Sequence, residues 1–229
     1  MEAATQKRKL LETAFNVGSP PDQVRSFYYS KYAPLSWQWK FHATARQADK
    51  PDGPVRIGVG GARGPGKSHA VFAQIALDDC QRVKGLKALF LRQTGKSATE
   101  SFDDLVGAIL SRRISYKYTQ GVLKFPNGSK ILLGGFENER DIDKYIGINY
   151  DLIAIEESNQ LTEEKVLKLL GSMRTSKENW RPRYYTSFNP GNIGHGFCKT
   201  WFVDPYHENR QKESRFIPST YKDNPYLNK

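Results

Sequence analysis

At 229 residues, with 38% hydrophobic and 12% aromatic content, the chain can bury the core of one large domain, or of one with a small accessory part. A net charge of +11 points to a polyanionic partner. No apolar run approaches 18 residues, no signal-peptide core opens the chain, and the distant Cys80 and Cys198 exclude a disulfide framework, so a soluble, unexported protein with reduced thiols is expected.

Residues 1–50 read as a small helical N-terminal part, with breaks near Gly18-Ser19-Pro20-Pro21 and Ala33-Pro34. The turn-forming run Lys50-Pro51-Asp52-Gly53-Pro54 marks a boundary. A strand over 55–60 then leads into Gly61-Ala62-Arg63-Gly64-Pro65-Gly66-Lys67-Ser68, an unbroken G-x-x-x-x-G-K-S, and a helix over 67–83 that includes His69. Such glycines let backbone N–H groups turn inward around a triphosphate at a helix N-terminus. Lys67 is placed to reach the β- and γ-phosphates and Ser68 to hold Mg²⁺. A strand over 87–93 and a helix over 98–112 follow. Tyr116 to Thr119, Val122 to Phe125 and Lys130 to Leu133 read as short strands, the last two joined by the hairpin turn Pro126-Asn127-Gly128-Ser129.

The polar stretch 137–145 precedes Leu152-Ile153-Ala154-Ile155, a strand apolar on both faces. Thr162 caps a helix with Glu163 and Glu164 in its first turn and Val166, Leu167, Leu169, Leu170 and Met173 as its buried face. Arg183 to Phe188 is a strand, His195 to Phe202 a helix and 214–219 a last strand. Strands alternating with helices imply an α/β fold, a mostly parallel sheet flanked by helices on both faces.

Glu156 and Glu157 close the 152–155 strand at its C-terminal edge, where open α/β sheets bind ligands. Successive strand side chains point opposite ways, so Glu156 is expected to support the Mg²⁺ shell and Glu157 to orient and deprotonate an attacking water. The pair points to hydrolysis, and the absence of an Asn-Lys-x-Asp guanine signature favours ATP over GTP.

With these residues in view, the chain resembles, from about Pro34 to Pro225, the N-terminal ATPase domain of the large terminase subunit of tailed bacteriophages. The phosphate loop with its internal Arg63, the run Tyr150-Asp151-Leu152-Ile153-Ala154-Ile155-Glu156-Glu157-Ser158-Asn159, and Thr186-Ser187-Phe188-Asn189-Pro190 with Gly191-Asn192 and His195 carry the likeness. Pro34-Leu35-Ser36-Trp37-Gln38 is similar to the family's upstream glutamine motif, and Pro218 to Pro225 to its run-out toward a nuclease.

The resemblance implies an ASCE-type P-loop NTPase with a β-hairpin insertion, divided as 1–50, an ATPase core over 51–204 and a run-out over 205–229. It implies Glu157, Arg63 and Lys67 as catalytic groups, with Arg63 acting in cis on the transition state, Gln38 as the adenine reader, and Ser187 and Asn189 as couplers of hydrolysis to movement. It further implies a motor that moves double-stranded DNA into a procapsid, with portal protein and small terminase subunit as partners. That motor would be a ring homo-oligomer, a pentamer by resemblance and a monomer in solution, at the portal vertex in the host cytoplasm, without membrane contact.

Three departures stand out. Glu156 occupies a position where many relatives have Asp. Ile146 replaces an arginine that serves as a trans finger, which leaves Arg140 or Lys144 for that role. The family's nuclease lies beyond the ATPase part, and the sequence ends at Lys229, so no nuclease activity is expected of a chain that is either cut down or a separate motor subunit.

From Leu105 to Phe136 there is no Asp or Glu, while Arg112, Arg113, Lys117, Lys124 and Lys130 occur with Tyr116 and Tyr118 among them. This set suits phosphate contacts that read no sequence. Arg174, Lys177, Arg181 and Arg183 form a rival basic set. Helicase-like or recombination motors, a P-loop kinase and a nucleotide-gated DNA-binding module are the competing readings.

Overall fold

The computed structural model describes residues 11–93 and 98–226. In chain order the elements are α1 (Pro21–Tyr28), α2 (Ser36–Gln47), β1 (Arg56–Gly61), α3, β2 (Lys87–Gln93), α4 (Ala98–Ile109), β3 (Lys117–Thr119), β4 (Val122–Lys124), β5 (Lys130–Phe136), β6 (Leu152–Ile155), α5 (Glu163–Leu170), β7 (Arg183–Phe188), α6 and β8 (Ser214–Ser219). The helix α3 starts as Lys67–Ala73, widens into a π-helical stretch at Gln74–Asp79 and ends at Cys80–Arg82. The helix α6 likewise runs His195–Cys198, Lys199–Val203 (π) and Asp204–His207.

All strands join one sheet in the order β3-β4-β5-β2-β6-β7-β1-β8. From β5 to β8 every neighbouring pair is parallel. Antiparallel pairing is confined to β3 with β4 and β4 with β5. One face packs on α1 to α4 through Phe72, Ile75, Phe90 and Val106, the other on α5 and α6 through Ile153, Val166, Leu169 and Phe202. Each β6 residue is buried, as a strand between two helical layers must be. Leu167, expected in the buried face of α5, is instead exposed, because Val166 and Leu169 already fill that contact.

The hairpin expected as an insertion is built into the sheet: β5 is itself a core strand, in register with β2 from Lys87↔Lys130 to Gln93↔Phe136, and β4 and β3 extend it to the edge. The core also extends past the division at residue 204 that the resemblance implies. The helix α6 passes through residue 204 to His207, and β8 pairs along β1 from Arg56↔Ser214 to Gly61↔Ser219, so the folded core reaches Ser219.

The N-terminal helices are tied to α3 by buried polar groups. The Asp78 carboxylate accepts from Gln23 (2.9 Å), Gln74 (2.8 Å) and both Arg46 Nε (2.7 Å) and Nη2 (2.6 Å). His42 bridges Tyr32 and Gln74 and is held neutral, its pKa lowered to about 4, chiefly by burial. The π-helical widening of α3 lies where Gln74, Asp78 and Asp79 all face this network.

The rival basic set is largely structural. Arg183 is fully buried: it donates to Asp49 (2.7 Å) and to the Ala45 carbonyl (3.0 Å), and its guanidinium lies 3.6 Å from the Trp180 ring centre. Arg181 donates to the Lys50, Ala48 and Gly53 carbonyls, and Lys177 pairs with Asp151 (2.9 Å). These contacts pin the boundary turn at 50–54 to β7. Truncating one partner of a buried ion pair costs about 3–5 kcal/mol. Arg183→Ala should therefore lower the unfolding free energy measured by urea titration by an amount in that range, and Arg183→Lys should recover little, because lysine cannot supply the planar fork.

Candidate nucleotide site and basic surface

The loop between β1 and α3 needs its glycines for stated reasons. Gly64 and Gly66 have φ of 89° and 86°, and a Cβ on Gly61 (φ 132°) would lie 1.9 Å from the Ser219 carbonyl oxygen. The neighbouring β8 closes the loop from outside: Ala62 N–H donates to Ser219 O (3.1 Å) and Asn224 Nδ2 to Gly64 O (2.7 Å). From the other side, Gln38 Nε2 donates to Gly66 O (3.0 Å) while its Oε1 accepts from Leu35 N–H at the start of α2 (2.7 Å). The amide, with two N–H groups and two acceptor lone pairs, keeps one of each beyond these bonds.

Lys67 sits inside the loop, largely buried. Its Nζ donates to the Ala62 carbonyl and to Asn189 Oδ1 (2.7 Å). Burial lowers its pKa to about 8, against the opposing pull of Glu157 and Glu156, and the Arg63 charge lowers it further. Arg63 itself is exposed on the outer turn, with no hydrogen bond to the described residues. Pro65 is buried, and His69 is exposed on the first turn of α3, its pKa lowered by desolvation and then by the Arg92 charge.

Glu156 is buried at the end of β6, its N–H still bonded to Leu91 O (2.8 Å). The chain then turns, and Glu157 adopts a left-handed conformation (φ 52°) that a non-glycine residue takes only at a cost. The two acids are thus separated by a turn rather than by strand alternation. Burial raises the Glu156 pKa, while Arg92 and a hydrogen bond with Ser68 oppose the rise. Its Oε2 accepts no aligned hydrogen bond, and Arg92 Nε stands 3.2 Å away. A hydroxyl and an incompletely satisfied buried carboxylate are hard oxygen donors of the kind Mg²⁺ takes beside substrate phosphates. Among the described residues no cluster of three His, Cys, Asp or Glu side chains forms a separate metal cage.

The sequence reading missed Arg92. It stands near the end of β2, the strand beside β6 in the sheet though far from it in sequence, and the register Leu91↔Ile155 puts it beside Glu156.

The end of β7 clasps the acidic turn. The Thr186 hydroxyl donates to Ile155 O (2.9 Å) and shares a hydrogen bond with Ser158 (2.7 Å). Glu157 N–H donates to Ser187 Oγ (3.2 Å), and Asn189 N–H to Asn159 Oδ1 (3.3 Å). Ser187 and Asn189 therefore touch, respectively, the backbone of Glu157 and the amine of Lys67. The structure joins phosphate loop, acidic turn and β7 end into one connected set.

The remaining candidates lie apart from it. Arg140 and Lys144 are exposed on the 3₁₀ segment Glu139–Tyr145 after β5. The five basic residues of 112–130 separate. Arg113 lies over the Tyr29 ring (5.5 Å) beside the N-terminal helices, with Arg112 next to it. Lys117, Lys124 and Lys130 point to the opposite face of the sheet, since Tyr118, Leu123 and Ile131 between them pack into the α1–α4 core.

The family profile described as phage terminase large subunit matches residues 55–229. Comparison with curated proteins gives no match. Among solved structures, the large terminase of a thermophilic bacteriophage is similar at 18% identity over 86% of this chain and 48% of that one, with a TM-score of 0.64. The same protein in complex with ADP gives 17% identity over 86% and 48%, with a TM-score of 0.62. The large terminase of bacteriophage HK97 gives 14% identity over 84% and 40%, with a TM-score of 0.52. The chain thus spans about half the length of these proteins.

A polyphosphate placed against Lys67 must raise the lowered pKa of its amine, so binding and proton uptake are linked. With the free amine near 8, uptake should be slight at pH 7 and approach one proton near pH 9, and affinity should fall as pH rises past 8. Calorimetric titration with ATP in two buffers of different ionisation enthalpy measures this. Equal apparent enthalpies at pH 9, or uptake that persists in Lys67→Ala, would exclude Lys67 as the source.

Proposed function

The chain belongs to the phage terminase large-subunit family, and on that premise we propose that it is an ATP-hydrolysing motor that moves double-stranded DNA into a procapsid. The observation that carries this reading is the Lys67–Asn189 bond, which ties the nucleotide loop to the end of β7 and, through Ser187, to the acidic turn.

In this mechanism the inward-facing loop N–H groups and Lys67 bind the β- and γ-phosphates, and Gln38 uses its remaining N–H and lone pair on the adenine edge. Ser68 and Glu156 would hold Mg²⁺, which supplies charge neutralisation on the phosphate oxygens when bound. Glu157, fixed by Ser187, orients the attacking water and takes its proton. Arg63, exposed on the outer turn, swings onto the γ-phosphoryl group as negative charge shifts in the transition state. Two of the three Lys67 N–H groups are taken by Ala62 O and Asn189 Oδ1, and a phosphate that draws the charged amine toward itself competes with the Asn189 bond, so substrate entry loosens the β7 end and product release restores it. This exchange is a two-state element of the kind that couples hydrolysis to movement.

Arg140 or Lys144 provides a trans contact to a neighbouring subunit in the ring. Duplex DNA, portal protein and small terminase subunit are the partners, and the portal vertex in the host cytoplasm is the place of action. A P-loop kinase would instead need a phosphoryl acceptor for turnover, and a nucleotide-gated binding module would show little turnover at all. Phosphate release with ATP alone and with duplex DNA separates these from the motor.

Glu157→Gln should retain ATP binding and lose about 10²–10⁴ in hydrolysis rate. If Glu156→Gln does this and Glu157→Gln is mild, the two roles are reversed. Asn189→Ala should still release phosphate but fail to package DNA. Proportional loss of both activities would make Asn189 a catalytic or structural residue instead of a coupler.

A further inference from the structure

Lys87, Lys130, Lys124 and Lys117 stand in register across four neighbouring strands, Lys87↔Lys130, Lys130↔Lys124 and Lys124↔Lys117. In-register partners point to the same side, so all four share one face, the one opposite the α1–α4 core. At one strand spacing each, the row spans about 14–15 Å. Lys117, Lys124 and Thr119 are exposed on this face, and Lys130, Val122, Leu132 and Lys87 are half-buried. Tyr145 covers β5 at Gly134, where an added Cβ would lie 2.5 Å from its hydroxyl, but that cover does not extend to the start of the strand.

Such a row works against folding. Like charges directly opposite each other weaken a strand pair, and here that happens at three successive pairs. The Lys87 amine carries the mark of this: its pKa is lowered by burial and then by the Lys130 charge. The nearby Asp151 does not cancel the row, since its carboxylate already takes Lys87 N–H (2.8 Å), Thr175 Oγ1 (2.6 Å) and the Lys177 amine (2.9 Å). A lysine on an edge strand is a common guard against aggregation. That accounts for Lys117 on β3, but not for lysines carried inward through β4 and β5 to β2.

We propose that this lysine row is a docking surface for the phosphate backbone of duplex nucleic acid, formed by the sheet itself at the end opposite the nucleotide loop. The proposal rests on the DNA-motor reading and deepens it. It adds Lys87, which lies outside the acid-free segment, and it removes Arg112 and Arg113, which belong to the other face. Charge complementarity favours a polyphosphate over an acidic protein. Lysine ammoniums act as point charges that suit phosphates whatever their orientation, and four of them at even strand spacing match a polyanion whose charges repeat along its length. Phosphates recur about every 3.4 Å of axis along one DNA strand, so the row faces roughly four of them. The strand residues that flank the row on β3, β4 and β5, Thr119, Val122 and Leu132, carry no amide or guanidinium to read a base edge, as suits a surface indifferent to sequence.

The test is the salt dependence of duplex binding by the intact protein, read by fluorescence anisotropy on two unrelated sequences over a KCl series. Removing one lysine–phosphate pair should flatten the log–log slope by about 0.9. Lys117→Gln, Lys124→Gln and Lys130→Gln together should flatten it by up to about 2.7, and adding Lys87→Gln should flatten it again, equally for both sequences. Arg112→Gln with Arg113→Gln should leave the slope unchanged. Thermal melting of each variant guards against a loss of fold. If wild type binds duplex with a steep slope and the row variants keep it, the assignment is wrong. If the arginine pair flattens the slope as much as the lysines do, the assignment to this face is likewise wrong. If wild type itself shows no salt-dependent duplex binding, the motor reading fails and takes this inference with it.

Discussion

One partly desolvated amine organises the site. Lys67 lies at the N-terminus of α3, yet its Nζ is held by Asn189 at the end of β7 and by the Ala62 carbonyl within the loop. Burial alone would favour the neutral amine, and the two nearby glutamates supply the opposing pull. The group therefore gives up its proton more readily than an exposed lysine while remaining bonded to both acceptors. A ligand with fixed negative charge is the natural replacement for both carbonyl-type acceptors. The loop, the acidic turn and the end of β7 meet around this amine.

The surroundings hold the loop from both sides. Gln38 holds Gly66 from the side of α2, and Asn224 holds Gly64 from beyond β8. The helix bearing Gln38 is fastened to α3 through His42, Gln74, Asp78 and Arg46, all hydrogen-bonded below the surface. Polar groups this deep stabilise a unique arrangement only when each finds a partner, and here the partners come from separate elements. The N-terminal helices thus act as a brace for the nucleotide site. The segment after β8 touches the same loop through Asn224.

Local patterns were legible where chemistry is local. The phosphate loop depends on eight consecutive residues whose glycines are demanded by backbone angles, and such a demand is visible in any context. Thr162 accepts from Lys165 N–H as a cap, and the apolar β6 run is buried on both faces, as composition required. Legibility failed where a residue's meaning depends on a distant neighbour. Arg183 reads as surface charge in sequence but is buried on Trp180, and Leu167 fits a helical stripe that the core does not use. The Glu156-Glu157 pair was readable as a unit, whereas the left-handed turn that separates the two acids was not.

The sequence by itself determined that the chain forms an α/β sheet around a phosphate loop with two carboxylates at a strand end, because spacing, periodicity and glycine placement are properties of neighbours along the chain. Only the tertiary structure decided which groups meet across it. Strand order brought Arg92 to Glu156 and Asn189 to Lys67, and strand register aligned Lys87 with three lysines from beyond α4. Those meetings follow from packing two helical layers against one sheet, which is settled by the burial of the whole core and not by any segment alone.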